Sequence, residues 1–515
     1  MIFQRKKPRR VSAEVLRPLR RTGPPEISLL DPYERAISVG AFGVLAVVLA
    51  ADPAMPAGRM VGLFVLLGLW VFLFSRYFLK FQAPFVQDLK SLIGMLGLCL
   101  VLLLIARILR ESEDLSLLLT PLPLMAMMLA SLTSPRFAVE ACAFVSGLLA
   151  LVWWGVDNLS ARLITLFLGS VAGALYSFRI RRPSRLVAVG FLVGVTQLLC
   201  IGAIDLYREV VPAREALLKE LLLALAQGLV WGFLAIGLMP FLEQLLGRLS
   251  DVTLLEYSNQ NEQPVLRRLQ VEAPGTHHHS FLVGTLAEAA AETIGANGLL
   301  CRVGAYFHDI GKMNKPEYFS ENSPEARMRH RQISPEMSKL VITAHAKDGM
   351  ELAEIYGVPE PIRAFIEEHH GTTAVEYFYR LAAQQRGTED VQKEDYRYSG
   401  PRPRTKETAI AMLADSIEAA SRTVRDPTPA RLEQLIHDIV EMKIKDHQLD
   451  DCALTMRELT SIQEAFLSAL VGIYHRRPSY PKDPTGKIAV PLAEDDLLPE
   501  MVEGRLPDSK ARDRE

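Results

Sequence analysis

Eight long apolar stretches in the first half of the chain limit its fold more than any other feature. The stretches cover residues 35–52, 58–79, 91–109, 115–133, 137–156, 161–178, 185–205 and 217–242. Each is close to the roughly 20 residues that a helix needs to cross about 30 Å of hydrocarbon. Soluble domains rarely carry so many long uncharged runs. The sequence therefore predicts a transmembrane domain of about eight helices over residues 35–242.

Basic residues predict the orientation of this bundle, because Lys and Arg prefer cytoplasmic loops. Eight of them lie between Arg5 and Arg21, where Glu14 is the only acid. With eight crossings both ends lie on one side, and the loops on the side of the N-terminus are the richer in Lys and Arg. We therefore expect residues 1–34 to form a basic cytoplasmic segment and the C-terminal half to be cytoplasmic. A cleaved signal peptide is the alternative for the first span, but no small-residue cleavage motif precedes Asp52.

The apolar stretches hold few ionisable residues, and those few lie near their ends. Glu140 is close to the end of its span, and Glu220 and Glu243 flank the last span. Transporters and proton relays usually carry such groups in mid-membrane. This pattern favours a packed membrane anchor over a transporter. Pro121 and Pro123 predict that residues 115–133 are kinked or re-entrant, since proline removes a helical hydrogen bond.

Helical periodicity continues after the last span. Residues 243–272 read as an amphipathic connecting helix, and residues 273–477 as an all-helical domain without alternating strands. The predicted helices of this domain are 281–294, 297–308, 335–346, 350–356, 360–370, 407–422, 428–445 and 457–475. We expect Gln384–Lys406 to be a mobile loop and the proline-containing tail, residues 478–515, to be disordered. The predicted fold class is therefore all-α throughout.

All eleven histidines lie after residue 276, and five of them fall into one spaced pattern with two acids. The seven residues are His279, His308, Asp309, His345, His369, His370 and Asp415. Neutral imidazoles and carboxylates are ligands of divalent transition metals. Seven ligands are too many for one ion and suit two. The five cysteines form no CxxC pair, so neither a zinc ribbon nor a disulfide framework is indicated.

Taken singly, most of these positions have an ordinary explanation. His345 is equally well explained as a solvent-facing histidine. The adjacent pair His369 and His370 is a stronger signal, because two imidazoles at a helix end have little structural purpose. Asp415 is the most telling, since it interrupts the apolar run Met412–Ile417, and burying an unpaired carboxylate is costly.

Five segments together resemble the HD-domain metal-dependent phosphohydrolases, and more closely the bacterial class in which a seven-transmembrane region precedes the HD domain. The segments are Ala273–Ser280, His308–Lys312, His345–Gly349, His369–Thr372 and Met412–Arg422. Tyr396–Pro401 followed by Thr405–Glu407 also resembles that class. The motifs cover roughly residues 250–475, and the preceding spans agree in arrangement only.

The resemblance implies a distribution of the seven ligands between two metal ions. One ion would take His279, His308, Asp309 and Asp415. The other would take His345, His369 and His370 and share Asp309 as a bridge. Manganese or iron is implied, and these ligand types also permit zinc.

The resemblance also suggests residues that act on the substrate. Asp309 and Lys312 are the expected catalytic residues, and Lys312 and Lys347 are candidate phosphate contacts. His330 is a candidate for facing the substrate. For both lysines, and for His330, solvent exposure is the alternative.

The activity implied is that of a phosphodiesterase in the inner (cytoplasmic) membrane of a bacterium, which hydrolyses cyclic di-AMP to pApA. After His369 and His370 the chain reads Gly371-Thr372-Thr373, and so lacks the Gly-Tyr-Pro element of HD enzymes specific for cyclic di-GMP. Only Asp52–Gly58 separates the first two spans, where the class usually inserts a large extracytoplasmic domain. The expected partners are the cyclic dinucleotide and membrane lipid, with no DNA or RNA polymer; homo-oligomerisation is left open. The alternatives are a non-catalytic nucleotide-sensing receptor and an HD phosphohydrolase of another nucleotide.

Overall fold

The computed structural model describes residues 32–51, 55–82, 88–111, 117–156, 158–209, 214–387 and 389–474. Over these ranges the chain is helical, without a β-strand, and Ala374 and Arg397 form one isolated bridge. The all-α prediction is therefore confirmed. The predicted basic segment up to residue 31 and the predicted disordered tail lie outside the described residues.

The described residues of the first half of the chain form eight apolar α-helices. They are α1 (Pro32–Ala50), α2 (Ala57–Phe81), α3 (Leu89–Glu111), α4 (Leu122–Leu132), α5 (Pro135–Val152), α6 (Leu159–Tyr176), α7 (Ser184–Tyr207) and α8 (Arg214–Leu246). Among the described residues, six helices are long and apolar enough to cross a membrane: α2, α3, α5, α6, α7 and most of α8. The count of eight crossings stays a prediction.

Helix α4 differs from the other apolar helices in its length and its surroundings. It has 11 residues and follows a 3₁₀ turn at Leu117–Leu119. Since a helix rises about 1.5 Å per residue, α4 is only about 17 Å long. All of its residues except Ser131 are buried. A short helix is tolerated at membrane depth when protein surrounds it, so α4 forms the centre of the bundle.

Glycines allow α7 and α8 to pack with their backbones in contact. A Cβ atom on Gly190 would lie 2.2 Å from the carbonyl oxygen of Gly228, and a Cβ atom on Gly228 would lie 2.3 Å from that of Gly190. The buried Gln227 side chain donates to Gln197 across the same two helices at 2.6 Å. Small residues permit such close approach in membranes, where van der Waals contact and hydrogen bonds hold helices together.

We predict that Gly190→Ala destabilises the bundle by about 1–3 kcal/mol, because the added methyl group has no space at this crossing. Thermal unfolding of the protein in detergent measures the change. The matched control is Gly202→Ala on the same helix, where a Cβ atom meets nothing within 4 Å. Equal unfolding temperatures for the two variants would contradict the glycine-mediated packing.

Two short helices, rather than one, connect the bundle to the C-terminal domain. Residues 243–272 contain the end of α8, then α9 (Asp251–Ser258) and α10 (Pro264–Glu272). Gly247 has φ +62°, which turns the chain after α8. The Glu243 carboxylate accepts hydrogen bonds from the Ser250 backbone N–H at 2.9 Å and from the Thr253 hydroxyl at 2.8 Å. The turn is therefore fixed to the end of α8.

The described residues of the C-terminal domain form nine α-helices. They are α11 (Pro274–Thr293), α12 (Gly298–Phe307), α13 (Ala326–Arg331), α14 (Pro335–Ile355), α15 (Glu360–Glu368), α16 (Glu376–Arg386), α17 (Lys406–Ser421), α18 (Pro429–Lys445) and α19 (Met456–Tyr474). One core joins α11 and α12 to α17, α18 and α19, and a second joins α12 to α9, α10, α14 and α15. Helix α12 contributes to both cores and ends directly before His308.

Helix α14 is continuous through Gly349, where the sequence predicts a break between 335–346 and 350–356. A Cβ atom on Gly349 would lie 2.7 Å from the Ile366 side chain, so the glycine makes space for α15 and does not end the helix. Helix α16 is not predicted from the sequence. Most of the segment expected to be a loop, Gln384–Lys406, is non-helical, but Tyr396 and Val391 within it are buried beside Phe378 of α16.

Candidate metal centre

Helix α12 delivers His308 and Asp309 into the interior of the C-terminal domain. The Asn297 side chain caps the start of this helix by accepting from the Leu300 N–H at 3.0 Å. Most of its side chains are buried, so the residues that follow Phe307 are buried as well. His308 and Asp309 are each 1% exposed.

Three histidines are oriented in the same way, although they come from different helices. The Nδ1–H of His308 donates to the Ala305 carbonyl oxygen at 2.6 Å, and that of His345 donates to Ile342 at 2.6 Å. His369, which follows α15, donates from Nδ1 to Phe365 at 2.9 Å. A bond of this kind fixes the tautomer and leaves the Nε2 lone pair free to bind a metal.

Asp309 lies between two groups of histidines. Its Oδ1 lies 3.3 Å from His345 Nε2 and 3.6 Å from His369 Nε2. Its Oδ2 lies 3.1 Å from His308 Nε2 and 3.6 Å from His279 Nε2. Each carboxylate oxygen therefore faces a different pair of imidazoles.

Asp415 of α17 completes the arrangement. Its Oδ1 lies 3.0 Å from His279 Nε2 and 3.8 Å from His308 Nε2, and its Oδ2 lies 3.7 Å from His370 Nδ1. All seven residues of the sequence pattern are thus brought together. They divide into two groups with ligand atoms within 4.8 Å of one another: Asp309, His345, His369 and His370; and His279, His308 and Asp415.

The charge states of these residues suit divalent cations. Burial alone would raise the pKa of Asp309, but His308 and Lys312 hold it well below its usual range. Burial lowers the pKa of His345 to about 4 and that of His370 well below its usual value. At neutral pH the site therefore offers an ionised Asp309 carboxylate and neutral His345 and His370 imidazoles, which are the forms that bind metal.

Two further observations test whether a metal fits. His308 Nε2 and Asp309 Oδ1 are buried without a hydrogen-bond partner among the described residues, and such atoms are costly unless something binds them. Burial by itself would lower the pKa of His308, yet the neighbouring Asp309 carboxylate raises it to about 10. The electrostatic potential at His308 Nε2 is therefore strongly negative, which favours a bound cation. The donor set fits a pair of divalent transition-metal ions.

Glu418 is a site residue that the sequence did not reveal. Its Oε2 lies 2.6 Å from His279 Nδ1, and its other oxygen accepts from Arg422 Nε at 2.7 Å. A carboxylate on the far nitrogen orients a ligating histidine and raises its basicity. Glu418 follows Asp415 by three positions on α17, so both lie on one helix face. That spacing is the signal that could have identified it.

Lys312 is part of the centre, and Glu321 is its second partner. Lys312 Nζ lies 2.7 Å from Asp309 Oδ2 and 2.8 Å from Glu321 Oε1, and it lies over the Phe319 ring at 5.0 Å. These two carboxylates raise the pKa of Lys312 despite its burial. Lys312 therefore stays charged and holds Asp309 through Oδ2, the oxygen that also faces His308 and His279.

Lys347 and His330 lie apart from the seven ligand residues. Lys347 is exposed on α14, and two positions of a helix are about 200° of rotation, so it points away from the side of His345. His330 Nε2 donates to the Tyr318 carbonyl oxygen at 3.0 Å, and its ring lies 4.9 Å from that of Phe378. The substrate roles of Lys347 and His330 stay predictions.

The segment expected to be a mobile loop contacts the histidines. The Tyr398 ring centroid lies 4.2 Å from that of His370, and the Tyr398 N–H donates to the Thr373 carbonyl oxygen at 3.0 Å. The neighbouring Arg397 binds both carboxylate oxygens of Asp446, at 3.1 and 2.9 Å. Tyr398 therefore forms an aromatic wall of the centre that sequence reasoning did not assign.

Comparison with known families agrees with this arrangement. Residues 58–250 match the family described as 7TM receptor with intracellular HD hydrolase, and residues 276–420 match the HD domain. Helices α2 to α8 lie almost entirely in the first region, and all seven candidate ligands, from His279 to Asp415, lie in the second. Fold and site thus define a multi-pass membrane protein with a helical, metal-dependent hydrolase domain. Residues 58–250 and 276–420 thus match, in this order, the membrane region of the seven-transmembrane receptors with an intracellular HD hydrolase and the HD domain.

Curated relatives include two bacterial proteins named cyclic-di-AMP phosphodiesterase PgpH. The one from Bacillus subtilis is 38% identical over 315 residues, which cover 61% of this chain and 44% of the relative. The one from Listeria monocytogenes is 36% identical over 369 residues, which cover 71% and 50%. The chain thus spans about half the length of the curated relatives it matches. The crystal structure of the L. monocytogenes PgpH HD domain in complex with cyclic-di-AMP is 44% identical and covers 42% of this chain and 100% of that one, with a TM-score of 0.40.

We predict that the purified protein contains about two transition-metal ions per chain and that His279→Ala reduces this content by about one. The reason is that His279 contacts both Asp309 and Asp415. Elemental analysis of the folded protein measures the metal content. The matched control is His278→Ala, because His278 is exposed next to the buried ligand. Equal metal content in the two variants would exclude His279 as a ligand.

Proposed function

We propose that this chain is a membrane-anchored, metal-dependent phosphodiesterase that hydrolyses cyclic di-AMP to the linear dinucleotide pApA. The observation that carries the proposal is the position of Asp309, whose two oxygens face two separate groups of ligands. A single carboxylate shared in this way suits a two-metal site for phosphate chemistry. The activity named for the B. subtilis and L. monocytogenes relatives supports cyclic di-AMP as the substrate.

The proposed ligands are the seven residues of the two groups, with manganese or iron as the metals. When bound, two such ions supply a nucleophilic water at neutral pH and neutralise charge that develops on the phosphate. The protein's own residues keep the ligands in place: backbone carbonyls orient His308 and His345, and Glu418 orients His279. Lys312 keeps Asp309 ionised and immobile.

The wall beside His370 is the proposed position of the dinucleotide. Tyr398 offers an aromatic face there, and aromatic faces stack with nucleobases. Thr372, in the segment that replaces the Gly-Tyr-Pro element, hydrogen-bonds Gln448 through its backbone N–H at 2.9 Å. Lys312 is proposed to contact a phosphate through the N–H that its two carboxylate partners leave free, and Lys347 and His330 are the further contacts proposed from sequence.

We predict that Asp309→Asn lowers kcat/KM for cyclic di-AMP by about a thousandfold or more. Loss of the shared carboxylate weakens both metal positions, which supply several kcal/mol of transition-state stabilisation, and each 1.36 kcal/mol is a factor of ten. The measurement is release of pApA by the full chain in detergent with manganese, with cyclic di-GMP and ATP as alternative substrates. His278→Ala serves as the control and should retain wild-type activity.

Binding measured beside hydrolysis separates the enzyme from a nucleotide-sensing receptor. Equilibrium dialysis with labelled cyclic di-AMP reports binding whether or not the nucleotide is cleaved. If the metal-loaded wild-type protein binds cyclic di-AMP but releases no pApA, the receptor function replaces the enzyme. If the protein preferentially cleaves another nucleotide, the proposed hydrolase activity stands but cyclic di-AMP is rejected as its substrate.

We further propose that the C-terminal domain lies on the cytoplasmic face of the inner membrane. Basic residues at this end of the spans contact the domain and its connecting helix: Lys90, in the first turn of α3, lies 3.3 Å from Glu360, and Arg181, in the loop after α6, lies 3.9 Å from Asp251 of α9. Arg179 donates to the Ala296 carbonyl oxygen at 3.5 Å. Loops rich in Lys and Arg are typically cytoplasmic, so their position beside the domain supports this orientation.

Reporter fusions test the orientation. We predict that β-galactosidase fused after residue 474 is active and alkaline phosphatase at the same position is inactive, because the former folds only in the cytoplasm. The control position is residue 156, in the connection between α5 and α6 at the other end of the bundle, where the reverse result is expected. Active phosphatase after residue 474 would reject the cytoplasmic assignment.

A further inference from the structure

The membrane half contains a cavity of about 570 Å³ that is separate from the metal centre. It lies between α1, α2, α3 and α5, and its volume falls within the roughly 300–1,000 Å³ of typical ligand sites. Its lining is almost entirely apolar and includes seven phenylalanines. Such a lining suits a hydrocarbon ligand and offers almost nothing to a polar one.

The inner wall of the cavity is a fixed aromatic surface. The rings of Phe74 and Phe144 lie 5.2 Å apart, and those of Phe78 and Phe137 lie 5.8 Å apart. Trp70 Nε1 donates to the Phe144 carbonyl oxygen at 3.0 Å and so joins α2 to α5. The wall therefore keeps its shape through packing and a hydrogen bond within the protein.

The cavity opens sideways, toward the surrounding lipid. Three of its lining residues, Val44 of α1 and Phe64 and Phe72 of α2, are 56%, 56% and 61% exposed. Exposed apolar side chains at the depth of a membrane helix face hydrocarbon. A ligand therefore reaches the cavity from within the bilayer.

Basic residues lie at one end of the cavity, where α2 ends and α5 begins. Lys80 is exposed in the last turn of α2, and Arg136 is exposed at the start of α5. The nearby Glu140 carboxylate accepts from Tyr77 at 2.7 Å, from Gln82 at 2.7 Å and from Arg136 at 2.8 Å. Arg136 is thus paired with Glu140, and the exposed Lys80 adds a further positive charge at this end of the cavity.

We propose that this cavity binds one acyl chain of an anionic phospholipid from the surrounding bilayer, with the headgroup beside Lys80 and Arg136. The aromatic wall supplies the contact for the chain, and the basic end supplies the preference for negative charge. The site is thus a lipid-binding site within the membrane domain, and it does not depend on the activity of the C-terminal domain.

Gly68→Leu provides the test, because Gly68 lines the cavity and a Cβ atom there meets nothing within 4 Å. The matched control is Gly62→Leu on the same helix, which also has open space but does not line the cavity. The full chain is delipidated in detergent and titrated with phosphatidylglycerol or phosphatidylcholine, and bound lipid is counted by native mass spectrometry. Gly68→Leu should weaken phosphatidylglycerol binding about tenfold, equivalent to losing burial of about two methylene groups; Gly62→Leu should match wild type.

A second variant tests the contact with the lipid headgroup. A fluorescence measurement on the wild-type protein tests the site even if Gly68→Leu does not fold. Lys80→Gln should lower binding of phosphatidylglycerol toward that of phosphatidylcholine. Trp70 lies 4.7 Å from Phe74 of the wall. Phosphatidylglycerol with brominated chains should therefore quench the wild-type fluorescence more than that of Trp70→Phe.

Three outcomes would overturn the proposal. Equal phosphatidylglycerol binding by wild type, Gly68→Leu and Gly62→Leu would place the lipid elsewhere. Equal binding of the two lipids by wild type would remove the preference for an anionic headgroup. Wild-type dimers that Gly68→Leu converts to monomers would assign the cavity to a second copy of this chain.

Discussion

The buried Asp309 carboxylate is the group on which the C-terminal domain depends. An ionised carboxylate at 1% exposure costs several kcal/mol unless positive charge or hydrogen-bond donors surround it. Lys312 supplies one partner, and four imidazoles from separate parts of the chain supply the rest of the environment. Elements far apart in sequence must therefore meet at this residue, which follows the helix α12 that contributes to both apolar cores. The compensation that this buried charge requires also brings the seven candidate metal ligands together.

Close backbone contact, made possible by glycine, shapes both halves of the molecule. At Gly311 a Cβ atom would lie 1.9 Å from the His345 carbonyl oxygen, so the turn after Asp309 lies directly against α14. At Gly304 it would lie 2.3 Å from the Phe365 ring, which brings α12 against α15. Gly190 and Gly228 do the same for α7 and α8 in the bundle. In the aqueous domain this contact positions ligands, whereas in the membrane it replaces a hydrophobic driving force that lipid cannot supply.

The fold class and the residues that cluster at the candidate metal centre could be predicted from the sequence, because both rest on local information. Apolar length identifies a membrane helix, and the chemical type of His and Asp identifies a ligand wherever the chain folds. The helix boundaries that were predicted wrongly and the site residues that were not predicted depend on tertiary contacts. Gly349 predicts a helix break from the sequence, but in the structure it makes space for the Ile366 side chain. The short helix α4 is tolerated because neighbouring helices enclose it. Glu418 and Tyr398 gain their places only through His279 and His370, so neither stands out alone.

The turn at Gly247 has a mechanical consequence. Glu243 of α8 accepts hydrogen bonds from Ser250 and Thr253 across this turn, so the turn connects α8 rigidly to α9. A tilt or rotation of α8 must then carry α9 with it. Leu254 of α9 packs in the same core as Phe307, the residue directly before His308. A displacement of α8 is therefore passed through α9 to a core that ends one residue before His308.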